Sequence, residues 1–160
     1  MIVATWITVL GLLTLLFDDQ LTNMRNPNAS PAVSKSQNGS KRVVLKRNHA
    51  GQYVANGFIN QRSVRFIIDT GATDVSVPAH LAKKLKLEPG HPVIYRTANG
   101  DVRGNRTRIA SVSLGNITLE DIPGSINPGM TEDLILLGMS FLKKLEMIQR
   151  DGTLILTQHP

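Results

Sequence analysis

The chain has no cysteine, which excludes disulfides and cysteine-ligated zinc. Its four histidines, His49, His80, His91 and His159, are scattered without metal-ligand spacing, so no metal site is expected. No Gly-x-Ser-x-Gly elbow or phosphate-binding P-loop occurs, and nothing calls for an organic cofactor. Aromatics are scarce, with four Phe, two Tyr and one Trp to stack on bases. The net charge is +6, but Lys and Arg are spread along the chain. A solvated basic surface is the expectation, and no nucleic-acid partner.

What is present begins with an uncharged apolar run over residues 1–17, MIVATWITVLGLLTLLF. As a helix it reaches roughly 25 Å, enough for a thin bilayer. A cleaved signal peptide wants a basic start and a small-x-small cleavage site, and the run has neither. The expectation is an uncleaved transmembrane helix. Residues 18–40 are rich in Asn, Ser and Pro and poor in large apolar side chains, which predicts a flexible tether. Residues 41–160 are left for one domain of ordinary size. Arg25 and Lys35 follow the span, which by the positive-inside rule points faintly to a cytoplasmic C-terminal part. Lys35, Lys41, Arg42, Lys46 and Arg47 form a basic cluster that could meet anionic lipid headgroups. Four Asn-x-Ser/Thr sequons start at Asn28, Asn38, Asn105 and Asn116, relevant only in a eukaryotic secretory compartment.

Past residue 40, short runs of Val, Ile, Tyr and Phe alternate with Gly, Asn and Asp. Strands are predicted over 42–46, 51–60, 63–68, 74–77, 93–98, 102–109, 112–114, 117–119, 134–137, 147–150 and 153–157. Short helices are predicted over 78–85, opened by Pro78, and 141–145. Asn99-Gly100 and Asp151-Gly152 are hairpin-turn pairs. Many short strands with one or two small helices predict an all-β fold, a closed β-barrel.

The residues that carry chemistry lie in Phe66-Ile67-Ile68-Asp69-Thr70-Gly71-Ala72-Thr73-Asp74. An acid directly after an apolar strand sits where burial disfavours a charge unless it is partnered. Hydrolysis of a peptide bond by carboxylates needs two of them. One, ionised, takes a proton from water; the other, protonated, polarises the carbonyl. Two carboxyls about 3 Å apart share a single proton and so supply both roles. Asp-Thr-Gly occurs once here, so a second Asp69 must come from a second copy. Thr70 could lock two such loops across a two-fold axis, and Gly71 lets backbone approach closely. The tripeptide alone decides nothing: its chance occurrence is roughly 3%, and Asp-x-Gly commonly forms a turn capped by its own carboxylate. Two further features agree with the catalytic reading. A hairpin around Asn99-Gly100 could close over a cleft, and Leu136-Leu137-Gly138 could brace the Asp loop. Val75, Val77, Ile94 and Ile126 are candidate apolar subsite walls, with core packing as the alternative for each.

Four stretches carry a resemblance: Asn56-Gly57-Phe58-Ile59-Asn60, Ile67-Ile68-Asp69-Thr70-Gly71-Ala72-Thr73, Thr97-Ala98-Asn99-Gly100, and Leu136-Leu137-Gly138-Met139-Ser140-Phe141-Leu142. In order and spacing, residues 52–157 resemble the retropepsin-like (clan AA) aspartic proteases, in particular their membrane-anchored bacterial branch. The resemblance implies a retropepsin-like barrel acting as a homodimer on a polypeptide substrate. Asp69 would be catalytic, with Thr70, Gly71 and Ala72 forming the supporting loop and Thr97, Ala98, Asn99 and Gly100 the flap. It also implies a bacterial inner-membrane anchor with a periplasmic catalytic domain. The chain departs from retroviral relatives in having Thr73 where they often carry an acid. Those relatives interleave both chain termini in a dimer sheet, and Leu154-Ile155-Leu156 is the candidate strand for that here. Ala72 stands where pepsin-like enzymes often have a Ser that hydrogen-bonds the charged dyad, so a mildly acidic optimum is expected. The rival reading is a membrane-tethered domain of the same fold that binds peptides or proteins without cutting them.

Overall fold

The computed structural model describes residues 6, 7, 12, 24–97 and 100–160. Most of the expected membrane span and residues 18–23 lie outside the described residues, and among those described no helix is long and apolar enough to cross a membrane. Two sheets account for the strands. The smaller has the order β1-β2-β11-β10, from Ala32–Lys35, Lys41–Lys46, Thr153–Gln158 and Glu146–Arg150. The larger has the order β3-β4-β9-β5-β8-β7-β6, from Val54–Ile59, Arg62–Ile68, Ile135–Leu137, Val75–Pro78, Ile117–Asn127, Gly100–Leu114 and Pro92–Thr97. An added β3–β7 pairing, Phe58 opposite Ser113 and Ile59 opposite Val112, closes six of these strands into a barrel. Strand β6 hangs outside the ring on the first half of β7.

Alternation sets which side chains enter the core. In β2, Val43 and Leu45 are fully buried while Arg42 and Lys46 face solvent. Phe66, Ile109, Ile122, Ile135 and Leu137 fill the barrel with no exposed surface, each worth about 1.5–3 kcal/mol relative to exposure. Closure depends on Gly57. A Cβ there would lie 2.7 Å from Cε2 of Phe66 and would also strike the Ser113 carbonyl, so no larger residue lets β3 cross Phe66 and reach β7.

The expected strands appear, with four differences. The segments over 112–114 and 117–119 are parts of longer strands, and β8 continues to Asn127 through Glu120, Asp121, Pro123 and Gly124. Those residues are poor strand formers, but pairing with β7 on one side and β5 on the other overrides local preference. The helices shrink to single turns, α1 (Ala79–Ala82) and α2 (Met139–Leu142). Leu154-Ile155-Leu156 is no free terminal strand: β11 lies between β2 and β10 of its own chain, with Leu154 and Leu156 buried.

The fourth difference is in the expected tether, whose second half is docked. Asn26 and Asn28 are 5% and 3% exposed. Asn28 Nδ2 donates to the carbonyls of Lys46 (2.9 Å) and Val54 (2.7 Å), and its Oδ1 accepts from the Lys46 N–H at 2.7 Å. Its own carbonyl accepts from the Asn56 N–H at 3.1 Å. Residues Ala32–Lys35 then form β1 against β2. Composition alone reads such Asn-rich chain as solvated, but here Asn28 satisfies backbone groups of β2 in the small sheet and β3 in the large one. The sequon at Asn28 is thereby buried. Asn28→Ala is expected to cost about 2–3 kcal/mol by stranding those backbone groups, measured as a lowered urea midpoint; a free tether would give no change.

Candidate functional site

The Asp69 loop connects β4 to β5, and β9 lies between these two strands. Strand β9 runs parallel to β4, with Ile67 opposite Leu136 and Ile68 opposite Leu137, and meets β5 at Ser76 opposite Leu136. The loop therefore straddles a strand and cannot fold down onto it. Its backbone is held at four points. Asp69 N–H donates to Leu137 O at 3.2 Å and Ala72 N–H to Asp69 O at 3.3 Å. Met139 N–H reaches Ala72 O at 2.8 Å, and Ser140 N–H reaches Thr73 O at 2.9 Å. The loop thus rests on the first turn of α2.

Two residues make that seat possible. A Cβ on Gly138 would lie 2.6 Å from the Ala72 carbonyl and would also collide with that of Asp74. Ser140, 4% exposed, takes the Val75 N–H at 3.1 Å and donates its hydroxyl to Pro123 O at 2.7 Å, joining β5 to β8 beneath the loop. Leu136-Leu137-Gly138 is the brace that its sequence suggested. The role of Ser140 was not visible, since a lone Ser after Gly-Met has no pattern that points to a partner 65 residues away.

Asp69 is half-buried, and Thr70 and Gly71 are exposed at the tip. The Asp69 Oδ1 accepts the Gly71 N–H at 2.9 Å, the short-range turn bond typical of Asp-x-Gly. Among the described residues no ion pair reaches this carboxylate. The carboxylate is held by the main chain at the loop tip and stays partly accessible to solvent.

Of the candidate flap residues, Thr97 ends β6 and Gly100 opens β7, opposite one another. Ala98, Asn99 and the Thr97 side chain lie outside the described residues. Midway along this hairpin, opposite Val102, burial pushes the Tyr95 hydroxyl above its usual range, the Ser125 hydroxyl partly opposes this, and Asp74 adds to it. A cleft of about 780 Å³ opens beside the loop, lined by Thr73, Asp74, His91, Arg106, Pro123 and Gly124 among others. Of the four apolar wall candidates, Val75, Val77 and Ile126 belong to the core instead, at 0%, 0% and 7% exposure, because β5 and β8 are covered by neighbouring strands and helices. Ile94 is 65% exposed on the hairpin. The raised Tyr95 value fixes a sign: the folded state holds that proton more tightly, so its stabilisation is complete below pH about 10 and is lost as pH rises past it. Melting temperatures at pH 9 and 11 should fall further apart in the wild type than in Tyr95→Phe.

A family model described as "gag-polyprotein putative aspartyl protease" matches residues 55–144, from β3 through α2. The fold is similar to that of a retropepsin-like aspartic protease from Rickettsia conorii, with a TM-score of 0.63 and 27% identity over 81% of this chain and 96% of that one. It is also similar to the EIAV protease complexed with the inhibitor HBY-793, at a TM-score of 0.50 and 16% identity over 62% of this chain and 92% of that one, a likeness of fold alone. Two curated relatives are an uncharacterized protein from the cobV 5′ region of a Sinorhizobium species and one from Rickettsia prowazekii. They are 29% and 28% identical over 77% and 73% of this chain. The matches cover 54% and 51% of those proteins, so the chain spans about half the length of the curated relatives it matches. With a closed all-β barrel, an Asp-Thr-Gly loop straddling β9, and a family match over more than half its length, the chain belongs to the retropepsin-like aspartic proteases.

Proposed function

We propose that this protein is an aspartic endopeptidase, active as a homodimer in which the Asp69 carboxyls of two copies activate one water. The observation that carries the reading is the setting of Asp69: an accessible carboxylate on a loop fastened to β9 and α2 by main-chain bonds, in a chain that holds one such loop. Two loops facing across a two-fold axis make a pair that shares one proton, and its titration belongs to the pair. The ionised member removes a proton from water while the protonated member donates to the scissile carbonyl oxygen. The resulting tetrahedral diol collapses as the leaving nitrogen takes up a proton, and the C–N bond breaks. Thr70, Gly71 and Ala72 keep the carboxyl in place. The hairpin bearing Thr97, Ala98, Asn99 and Gly100 closes over an extended substrate, which pairs with the site as a strand. The cleft beside Thr73 and Asp74 is wide enough for substrate side chains.

Residues 1–17 are proposed to anchor the protein in a bacterial inner membrane, with the barrel on the periplasmic side. The basic strand β2, which carries Arg42 and Lys46 outward, would then lie against anionic headgroups. A non-catalytic binding role has one observation in its favour, the bond from Gly71 N–H to Asp69 Oδ1, which by itself explains an Asp at this position.

Cleavage of a peptide library by the full chain in detergent micelles separates these readings. Asp69→Asn should reduce cleavage by about a thousandfold with melting temperature unchanged. Ser140→Ala should instead lower stability by roughly 2 kcal/mol, because it strands the buried Val75 N–H and Pro123 carbonyl. Equal product from wild type and Asp69→Asn would support the binding role. The rate should peak at mildly acidic pH; a maximum below about pH 3 would contradict the argument from Ala72.

A further inference from the structure

The two sheets leave three strand edges open among the described residues, on β1, β6 and β10. An unpaired edge is a template for another strand, and proteins blunt those they do not use. Strand β1 is blunted: it has four residues, follows Pro31, and gives its Ser34 carbonyl to Asn116 Nδ2 at 2.8 Å. Strand β6 starts at Pro92 and carries no acidic residue, so an antiparallel copy of itself would gain no ion pair. Strand β10 has neither limitation. All five of its residues are exposed, including Met147 at 36% and Ile148 at 43%.

The sequence of β10, Glu146-Met147-Ile148-Gln149-Arg150, is complementary to itself when reversed. An antiparallel pair centred on Ile148 places Ile148 opposite Ile148 of the second copy and Glu146 opposite Arg150 at both ends, all on one face of the sheet. In the single chain Glu146 lies against His159 and Arg150 against Asp151, at exposed positions where exchange of partners costs little. The apolar centre continues inward: Ile148 is paired with Ile155, and Ile155 with Val44. Joined copies would carry this row unbroken across the axis.

The backbone fits the same register. Asp151-Gly152 is a two-residue turn with both φ angles positive, 48° and 73°, so Arg150 and Thr153 are its closing hydrogen-bonded pair. By alternation the main-chain groups of Met147 and Gln149 point to the open edge. A pair centred on Ile148 matches Met147 with Gln149 of the other copy, twice. The edge is also linked to the Asp69 loop. Gly138 packs under that loop, α2 follows, and β10 begins after three intervening residues, past the turn bonds Lys143 N–H to Met139 O (3.0 Å) and Leu145 N–H to Leu142 O (3.0 Å).

We propose that a second copy of this chain docks on the β10 edge, giving a continuous eight-stranded sheet β1-β2-β11-β10-β10-β11-β2-β1 whose two-fold axis passes through Ile148. This deepens the reading of Asp69 as half of a dyad and rests on it. Here β11 supplies from within the chain the strand that interleaved termini would take from the partner, so each copy completes its own half-sheet and association needs only one edge.

The absence of cysteine makes a direct test available. Facing residues of a non-hydrogen-bonded antiparallel pair have Cα atoms about 4.5 Å apart, inside the span of a disulfide. The full-length Ile148→Cys variant in detergent micelles should form a covalent dimer under mild oxidation, whereas Lys83→Cys should not. Gln149→Pro removes an edge N–H that its own hairpin does not use, so it should keep the wild-type melting temperature. By sedimentation its dimer dissociation constant should rise about tenfold or more. Glu146→Arg and Arg150→Glu should each weaken the dimer, and together restore it. Wild-type dimerisation retained in Gln149→Pro, no cross-link through Ile148→Cys, or a wild type that stays monomeric would each overturn the β10 interface. Cleavage assayed on the same samples keeps the two questions apart: cross-linking without cleavage upholds the interface while refuting the protease, and cleavage by an uncross-linkable dimer does the reverse.

Discussion

Strand β9 separates β4 from β5, and the position of the Asp69 loop follows from that one insertion. A loop joining adjacent strands can collapse into a tight hairpin, but a loop that must cross a third strand is held away from the sheet. The crossing leaves backbone groups that need partners, and the first turn of α2 supplies them through Met139, Ser140 and the Ser140 hydroxyl. Gly138 permits the approach, because any side chain there would occupy the space of the Ala72 and Asp74 carbonyls. The result is a half-buried carboxylate held by the main chain of its own loop. The same seat would serve a catalytic group or a merely structural one; the proposed chemistry enters only when a second such loop faces it.

Much of the remaining structure can be understood as support for this arrangement. Barrel closure between β3 and β7 across Gly57 keeps β4 in place beneath the loop. The small sheet adds a second layer that begins with the docked segment at Asn26 and Asn28 and ends with β11 buried in its middle. Strand β11 pairs on both sides within its own chain, with β2 and β10. In the dimer proposed above, association through one edge would couple activity to concentration, and confinement at a membrane surface would raise that concentration.

A good part of this was legible in the residues. Phe66-Ile67-Ile68 ending in an acid declared a strand, of which Phe66 alone is fully buried, leading into the Asp69 loop, and Asp151-Gly152 declared the hairpin that joins β10 to β11. Other parts were not. The second half of β8 runs through Pro123 and Gly124, which oppose strand formation unless neighbours on both sides hold them. Residues 26–35 carry the composition of a linker, yet Asn28 makes three side-chain bonds to backbone that only the folded sheet brings within reach. Val75, Val77 and Ile126 read equally well as pocket walls or core, and the difference lay in which strands covered them.

By itself the sequence determined the local rules: which side of each strand faces inward, where the chain turns, and that an Asp-Thr-Gly follows an apolar strand. These are properties of neighbours within a few residues, where period and turn chemistry act directly. Tertiary structure alone decided that β9 would enter between β4 and β5, that Ser140 would meet Val75, and that, among the described residues, β10 would stand at the edge of the small sheet. Each is a meeting of segments far apart in the chain, chosen by shape and by the need to pair every buried backbone group, and no periodicity within a segment records its distant partner.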